Sequence, residues 1–160
     1  MNIKYSVSRE IMRDTKEFLL SQGKKDKEAF VLWKGKRVSE NQFDVTGMII
    51  PNQTAVRTQF GYSFDISEQS IIEVLKELRL SNEIGLIQVH SHPGHSTMHS
   101  DRDDKLSLLG RKGSLSIVLP YFGNAAFEDF SSAKVHILTG INKWEALTLQ
   151  QVNDVLSVKR

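Results

Sequence analysis

Three features of the sequence predict an α/β fold in which a single mixed β-sheet is flanked by helices. Segments with helical periodicity alternate along the chain with short apolar segments of strand character. The chain has 160 residues, of which 39% are hydrophobic and 25% are charged, which suffices for one compact core. No internal repeat, low-complexity tract or linker divides it. We therefore expect a single domain over residues 1–160.

The first half of the chain is predicted to begin with a helix and to continue as strands. Ser8 can cap a helix that ends at Gly23. The apolar face of this helix is predicted to comprise Ile11, Thr15, Phe18 and Leu19. The segment EAFVLW, residues 28–33, is predicted to be a strand with a polar first residue. Residues 43–64 alternate around a Pro-Asn-Gln turn and are predicted to form two strands.

The second half is predicted to alternate between helices and strands. Asp65 and Glu68 have the spacing of a capping box at the start of a second helix. The buried stripe of that helix is predicted to be Ile71, Val74, Leu75 and Leu78. Residues 84–92 are predicted to be a strand, after which Ser100 opens a third helix that ends at about Leu109. The remaining predictions are strands at residues 114–120, 133–140 and 144–149 and a final helix over residues 150–158.

Composition and charge exclude several classes of function. Lys and Arg number 21 against 19 for Asp and Glu, so the net charge is only +2 and we expect no nucleic-acid partner. The chain has no cysteine, so any metal must be held by His, Asp, Glu or water rather than by thiolates. It also lacks a signal-like N-terminus and the roughly 18 uninterrupted apolar residues of a membrane span. We therefore expect a cytoplasmic protein with no membrane partner.

Two histidines and an aspartate have the spacing of metal ligands. His90 and His92 alternate in the predicted strand 84–92, so their side chains project from the same face about 7 Å apart. Pro93 ends this strand, and Asp103 follows in the first turn of the third helix, which the connecting loop can return over the strand end. Two histidines and one aspartate leave a fourth position for water, which is the arrangement of a catalytic zinc site.

Such a site also needs a base for the proton of the water and a donor for the oxyanion. Glu28 is the candidate base, because a carboxylate at the start of an apolar strand is unusual; the alternative is that it only ends the solvated charged run 23–28. Asp26 is a second candidate base, farther from the strand. Ser100 can donate its hydroxyl to an oxyanion. Ser100 and Asp103 also have capping-box spacing, so capping and ligation compete for the same carboxylate.

We expect the other histidines and the neighbouring acidic residues to lie outside the metal site. His95 and His99 are expected to be exposed in the loop or to face the substrate, rather than to bind the metal. Asp101 and Asp104 are expected to be first-turn charges that favour the helix dipole. His136 is expected to be a strand histidine with no part in catalysis.

The spacing of these residues resembles a known metalloprotease motif. From His90 to Asp103 the chain matches H-x-H-P-x6-S-x2-D of the JAMM (JAB1/MPN+) family, and Glu28, 62 residues before His90, matches its separate N-terminal glutamate. The short chain is most similar to the prokaryotic JAB branch of bacterial proteins. The resemblance implies a JAB1/MPN-like fold of cytidine-deaminase-like architecture. It also implies that His90, His92 and Asp103 bind Zn²⁺, that Glu28 is the general acid/base and that Ser100 stabilises the oxyanion.

The same resemblance implies substrates and partners. It implies a zinc isopeptidase or peptidase that cleaves after the C-terminal tail of a ubiquitin-like protein, in a conjugate or a precursor. E1-like and E2-like enzymes of the same pathway would be its partners. Two alternatives remain: a JAMM peptidase that processes sulfur-carrier proteins, and a non-catalytic MPN-like interaction module in a larger complex. Metallo-β-lactamase-type and zinc deaminase sites do not fit, because Gly94 replaces the aspartate that the first requires and the second requires a cysteine pair.

Overall fold

A computed structural model describes residues 2–59, 61–105 and 107–160, with Lys105 described by its backbone alone. In chain order the elements are β1 (Lys4–Ser8), α1 (Arg9–Gly23), β2 (Phe30–Ser39), β3 (Gln42–Ile49), β4 (Thr54–Thr58), β5 (Gly61–Asp65), α2 (Glu68–Ser81), β6 (Ile84–Ser91), α3 (Asp101–Lys105), β7 (Leu115–Leu119), a 3-10 helix (Tyr121–Gly123), β8 (Lys134–Gly140), β9 (Lys143–Ala146), α4 (Leu149–Val155) and β10 (Leu156–Lys159). None of the described helices is long and apolar enough to cross a membrane.

Eight of these strands form one mixed sheet in the order β10-β1-β3-β2-β6-β7-β8-β9. β1 runs parallel to both β10 and β3, and β6 runs parallel to β7, whereas the other neighbouring strands are antiparallel. β4 and β5 form a separate antiparallel hairpin. The predicted α/β class with a mixed sheet is therefore confirmed.

The alternating residues of β2 show that both faces of the sheet are covered. Val31 and Trp33 belong to the larger apolar cluster, which includes residues of α1. Phe30 and Leu32 belong to a smaller cluster that contains Val74 of α2. Because successive side chains of a strand point to opposite faces, α1 and α2 lie on opposite sides of the sheet.

Helix α1 begins and ends where the sequence predicts. Ser8 caps it by accepting the Ile11 amide hydrogen at 3.2 Å, and Gly23 is its last residue. Its buried face is rotated slightly from the predicted one, so Ile11 is only half-buried. Thr15 lies in the core as predicted, where its hydroxyl accepts the Trp33 indole N–H at 2.8 Å. The fully buried residues of the helix are Met12, Thr15 and Leu19.

The segment after β2 contains more strands than predicted. Residues 43–64, predicted to form two strands, contribute to three: β3 ends at Ile49, and the β4–β5 hairpin follows. Local alternation alone does not reveal this hairpin, because β4 is almost wholly exposed and only Phe64 of β5 is fully buried. The hairpin lies beside the candidate site described below.

The start of α2 also differs from the prediction. Asp65 is the last residue of β5 and pairs with Arg102 of α3, so the cap is Ser67 instead. Of the predicted stripe only Val74 is fully buried, and Leu75 is 58% exposed. The predicted stripe is therefore wrong for Leu75, since α2 contacts the sheet along a narrower line than its apolar pattern suggests.

Both later helices are shorter than predicted. α3 ends at Lys105 rather than near Leu109, and the hydroxyl of Ser107 accepts the Leu109 amide hydrogen at 3.0 Å, which satisfies the backbone outside a helix. The final helix ends at Val155, and residues 156–159 form β10. β10 pairs with β1, which the sequence analysis also missed.

The pairing of β2 with β6 positions the candidate site. The two strands are antiparallel, with Phe30 opposite His90. β2 begins two residues later than predicted, so Glu28 precedes the strand rather than opening it. Ala29 nevertheless extends the pairing: its amide donates to the Ser91 hydroxyl at 3.1 Å, and its carbonyl accepts the Ser91 amide hydrogen at 3.1 Å. Glu28 is thereby held at the strand end that carries the two histidines.

Gly35→Ala should strongly destabilise the fold. A Cβ at Gly35 would lie well inside van der Waals contact with the carbonyl oxygen of Asp44 on β3, and backbone atoms cannot move away cheaply. We expect the free energy of unfolding to fall by about 2–4 kcal/mol in chemical denaturation. Gly47→Ala is the matched control, because its Cβ would meet only the flexible end of Lys34, at 3.3 Å. Equal losses in the two variants would contradict the close approach of β2 and β3 at Gly35.

Candidate metal centre

The two histidines of the motif converge at the end of β6. The Nε2 atoms of His90 and His92 lie 3.1 Å apart. His90 is only 1% exposed, and its ring lies against Phe64 at a centroid distance of 6.0 Å. The backbone of His92 is anchored to β7, because its amide donates to the Leu119 carbonyl at 2.9 Å. The strand end that carries both rings is therefore part of the rigid sheet.

Asp103 of α3 completes a three-residue group. One carboxylate oxygen lies 3.0 Å from Nε2 of His92, and the other lies 3.6 Å from Nε2 of His90. His90, His92 and Asp103 each offer one metal-binding atom, and these atoms lie within 4.8 Å of one another. The structure thus brings together the three residues that the sequence analysis proposes as ligands.

The spacing of these donor atoms fits a zinc ion. Ligands at about 2.0–2.1 Å from a tetrahedral zinc lie roughly 3.3 Å from one another. The closest donor separations in this group are 3.0, 3.1 and 3.6 Å. The donor set of two imidazole nitrogens and one carboxylate is also one that zinc accepts, and three protein ligands leave a fourth position open.

The charge states of His90 and Asp103 suit metal binding, which requires a neutral imidazole and an ionised carboxylate. Burial lowers the pKa of His90, so its imidazole is neutral at neutral pH. Burial alone would raise the pKa of Asp103, but the hydrogen bonds from His90 and His92 outweigh it and hold this pKa well below its usual range. Burial also acts to lower the pKa of His92, yet Asp103, Glu28 and the Ser96 carbonyl together raise it. The group therefore contains an ionised carboxylate between two imidazoles.

Capping and ligation do not compete for the Asp103 carboxylate. The Ser100 amide donates to Oδ2 of Asp103 at 2.8 Å, and the Ser100 hydroxyl accepts the Asp103 amide hydrogen at 3.2 Å. The same Oδ2 atom faces His92. The capping box at the start of α3 therefore orients Asp103 toward the histidines, rather than drawing it away from them.

Hydrogen bonding outside the group orients one of the two rings. The Nδ1–H of His92 donates to the Ser96 carbonyl at 3.0 Å, which leaves Nε2 free to face the metal position. Nδ1 of His90 has no hydrogen-bond partner among the residues that the structure describes. His90 is instead held by packing, including the neighbouring ring of His99 at a centroid distance of 5.7 Å.

An open cavity of about 250 Å³ gives access to the group. It is lined by residues that include Glu28, His92, Ser100 and Asp103. Glu28 is 7% exposed, so it is not part of the solvated charged run that precedes it. Asp26, the second candidate base, is exposed and lines a neighbouring cavity. Glu28 and Ser100 therefore border the same space as His92 and Asp103, two of the three candidate metal ligands.

The expectation that His99 is exposed in the loop is wrong. Its side chain is only 5% exposed and bonds to Asp104 at 2.9 Å. Burial is the main cause that lowers the pKa of His99 to about 3. His95 is exposed in the loop, as expected, and His136 lies buried within β8. Asp104, expected to be only a first-turn charge like Asp101, is a partner of a buried histidine.

Comparisons with known proteins support a protease relationship. No family model matches the chain. The "Probable metalloprotease y4jG" of Sinorhizobium fredii (strain NBRC 101917 / NGR234) is 27% identical over 139 residues, which are 87% of this chain and 84% of that protein.

Two solved structures are similar to this chain. The solution structure of protein DSY2949 from Desulfitobacterium hafniense has a TM-score of 0.66 at 15% identity, over 97% of this chain and 92% of the other. The crystal structure of AF2198, a JAB1/MPN domain protein from Archaeoglobus fulgidus, has a TM-score of 0.46 at 20% identity, over 99% and 97% of the two chains.

The motif, the site geometry and the metalloprotease relative agree with one another. The H-x-H-P-x6-S-x2-D spacing runs from His90 to Asp103, and the fold brings its His and Asp side chains to one point. The relative named as a metalloprotease matches most of the length of both chains. Taken together, these findings support a JAMM/MPN family assignment for this chain, which is similar to a metalloprotease.

Proposed function

We propose that this protein is a zinc-dependent peptidase that cleaves an amide bond after the C-terminal tail of a ubiquitin-like protein. The observation that carries the proposal is the position of Glu28, a buried carboxyl group, in the same cavity as His92 and Asp103. A metalloprotease needs a metal with an open position and a nearby group that moves protons. Residues that would supply both lie around one small cavity.

His90, His92 and Asp103 would hold the metal. When bound there, zinc supplies Lewis acidity and makes a water molecule acidic enough to lose a proton near neutral pH. The burial of His90 keeps its imidazole neutral, and the ionised Asp103 offsets part of the charge of a divalent cation. Holding the metal with three protein ligands keeps one side accessible from the cavity.

Glu28 is the residue that would hold and return the proton. Burial is the main cause that raises the pKa of Glu28 to about 7; the charges of His92 and Arg102 act to lower this pKa, and that of Asp103 acts to raise it. A carboxyl group with a pKa near the working pH accepts a proton and gives it up with similar ease. Glu28 would accept a proton on its carboxylate during attack and then donate it to the leaving amine.

Ser100 is placed to stabilise the developing oxyanion. Its oxygen accepts the Asp103 amide hydrogen, which leaves the hydroxyl hydrogen available to a substrate in the cavity. A hydroxyl that is already fixed by the capping box needs little reorganisation to donate to a carbonyl oxygen that gains charge. Ser100 therefore combines the capping role with a role toward substrate.

An extended substrate segment would lie along the β4–β5 hairpin. The cavity at the metal group and a second cavity of about 230 Å³ share Glu28, Tyr62 and Ser63, so a continuous groove follows β5. Among the described residues β5 pairs only with β4, and its other edge is free to accept a peptide strand. A flexible C-terminal tail is a substrate that such an edge would straighten for attack.

The proposed substrate class also indicates which partners the protein would have and where it would act. A ubiquitin-like protein, as a conjugate or a precursor, would be the substrate, and E1-like and E2-like enzymes of the same pathway would be partners. We also propose that the protein acts in the cytoplasm, together with these partners. A sulfur-carrier protein has the same kind of flexible tail, so it belongs among the substrates to be tested.

Glu28→Gln should abolish cleavage while leaving zinc bound. Glutamine keeps the shape of the side chain but cannot accept the proton, so kcat should fall about 10²–10⁴-fold. His92→Ala should lose both zinc and activity. The measurements are metal content by mass spectrometry and cleavage of ubiquitin-like and sulfur-carrier fusions that carry a reporter after the tail.

Glu40→Gln is the matched control for that experiment, because Glu40 is exposed in the β2–β3 turn and should leave both properties unchanged. Full cleavage by Glu28→Gln would contradict the role of Glu28. A wild-type protein that binds no zinc and cleaves none of the fusions would contradict the proposed function and favour a non-catalytic interaction module.

Glu28→Gln should also stabilise the metal-free protein at alkaline pH. The pKa of Glu28 is about 7 in the folded protein, against an ordinary value of 4.5 for a glutamate, so folding favours its protonated form. The stability that protonated Glu28 gives to the folded state is fully present below about pH 4.5 and is lost as the pH rises through about 7.

Glutamine cannot ionise, so the free energy of unfolding of the variant should exceed that of the wild type by about 2–3 kcal/mol at about pH 8 and by little at about pH 5. Chemical denaturation at both pH values measures this difference, and a difference that does not change with pH would argue against a buried, titrating Glu28.

A further inference from the structure

His99 joins the segment that carries Ser100 and Asp103 to the central sheet. One side of its ring contacts α3, where Nδ1 lies 2.9 Å from a carboxylate oxygen of Asp104. The other side contacts β7, where Nε2 lies 2.8 Å from the Ser116 hydroxyl. A single buried ring therefore spans the gap between the loop after β6 and the sheet.

The hydrogen bonds around His99 form one chain with consistent donors and acceptors. The Ser107 hydroxyl donates to Oε1 of Gln88 at 3.1 Å, and Nε2–H of Gln88 donates to the Ser116 hydroxyl oxygen at 3.3 Å. Ser116 is then free to donate its hydrogen to Nε2 of His99, and Nδ1–H of His99 donates to Asp104. This order requires the neutral ring protonated on Nδ1, because Nε2 must accept. Buried polar networks whose groups are all paired rigidify the elements that they join.

Contacts with other aromatic rings also hold the His99 ring in place. His99 stacks on His136 at a centroid distance of 4.0 Å and meets Trp144 edge-on at 5.3 Å. It also lies beside the ring of His90, at 5.7 Å. Gln88 of the hydrogen-bonded chain is two residues before His90 on β6, so both lie on the same face of that strand.

We propose that His99 is a positioning residue that holds Asp103 against His90 and His92 by binding α3 through Asp104 and the sheet through Ser116. The inference rests on the metal site of the proposed function. α3 has only five residues and is too short to be stable alone, so its place over the strand end depends on such contacts. In this arrangement the ring of His99 stays outside the set of metal-binding side chains and acts through Asp103.

Asp104→Ala tests this role without disturbing the core. Asp104 is partly exposed, so the variant should fold, yet it removes the bond that ties α3 to His99. We expect the dissociation constant for Zn²⁺, measured by competition with a chromophoric chelator, to rise about 10-fold. Asp104→Asn keeps an acceptor oxygen and should restore most of the affinity. Asp101→Ala is the matched control, because it removes a neighbouring exposed charge from the same helix turn and should change the constant less than about 2-fold.

The same substitution in an Asp103→Ala background separates positioning from general stability. If His99 and Asp104 act through Asp103, Asp104→Ala should not weaken Zn²⁺ binding further once Asp103 is gone. An equal 10-fold loss in both backgrounds, or a loss in Asp101→Ala as large as in Asp104→Ala, would overturn the proposal. His99→Phe is a second variant that keeps an aromatic ring but lacks both hydrogen bonds, and it should match Asp104→Ala.

Hydrogen exchange of the metal-free protein provides a readout that is independent of zinc. Asp104→Ala and His99→Phe should increase the exchange rate of the Asp103 amide, which is bonded to Ser100, while Asp101→Ala should not. If the wild type binds no Zn²⁺, the proposed metal site fails, and this exchange pattern still decides whether His99 holds the segment. Unchanged exchange at the Asp103 amide in both variants would overturn the positioning role.

Discussion

The Asp103 carboxylate accepts the Ser100 amide hydrogen with one oxygen, and its two oxygens face the Nε2 atoms of His92 and His90. This one group joins the first turn of a five-residue helix to the end of a buried strand. Burying a carboxylate costs free energy unless the charge is paired. The two imidazoles and the amide of Ser100 provide this pairing for Asp103. The capping box at the start of α3 orients this carboxylate, and the arrangement of the three donor atoms depends on its position.

The central sheet positions the other side chains that lie near the Asp103 carboxylate. β6 lies between β2 and β7, so the ends of three strands meet where His92 leaves the sheet. The bonds between Ala29 and Ser91 hold Glu28 at that end, and a bond from His92 to Leu119 fixes the other side. The two candidate histidine ligands and Glu28 therefore lie at the ends of neighbouring strands of one sheet, and Asp103 comes from α3. The candidate site is therefore built on the end of β6, and the loop after β6 and α3 supply its remaining residues.

The sequence predicts the parts of this site that depend on local geometry. Alternation in a strand places His90 and His92 on one face, and a serine three residues before Asp103 predicts the start of a helix. The sequence predicts an exposed His99 because local spacing does not reveal its partners: Ser116 is 17 positions away on another strand. The pairing of β1 with β10 escaped prediction for the same reason, since it joins the two ends of the chain. The fold class needs only periodicity, whereas burial in an irregular segment depends on tertiary contacts.

The central claim is that His90, His92 and Asp103 form one metal-binding group. Anomalous diffraction at the zinc absorption edge, from crystals of the full chain loaded with Zn²⁺, tests it most directly. The geometry predicts a single strong peak within coordinating distance of Nε2 of both histidines and of an Asp103 carboxylate oxygen, about 2.0–2.2 Å from each. Zinc bound only elsewhere on the chain, or no peak between these three side chains, would contradict the account.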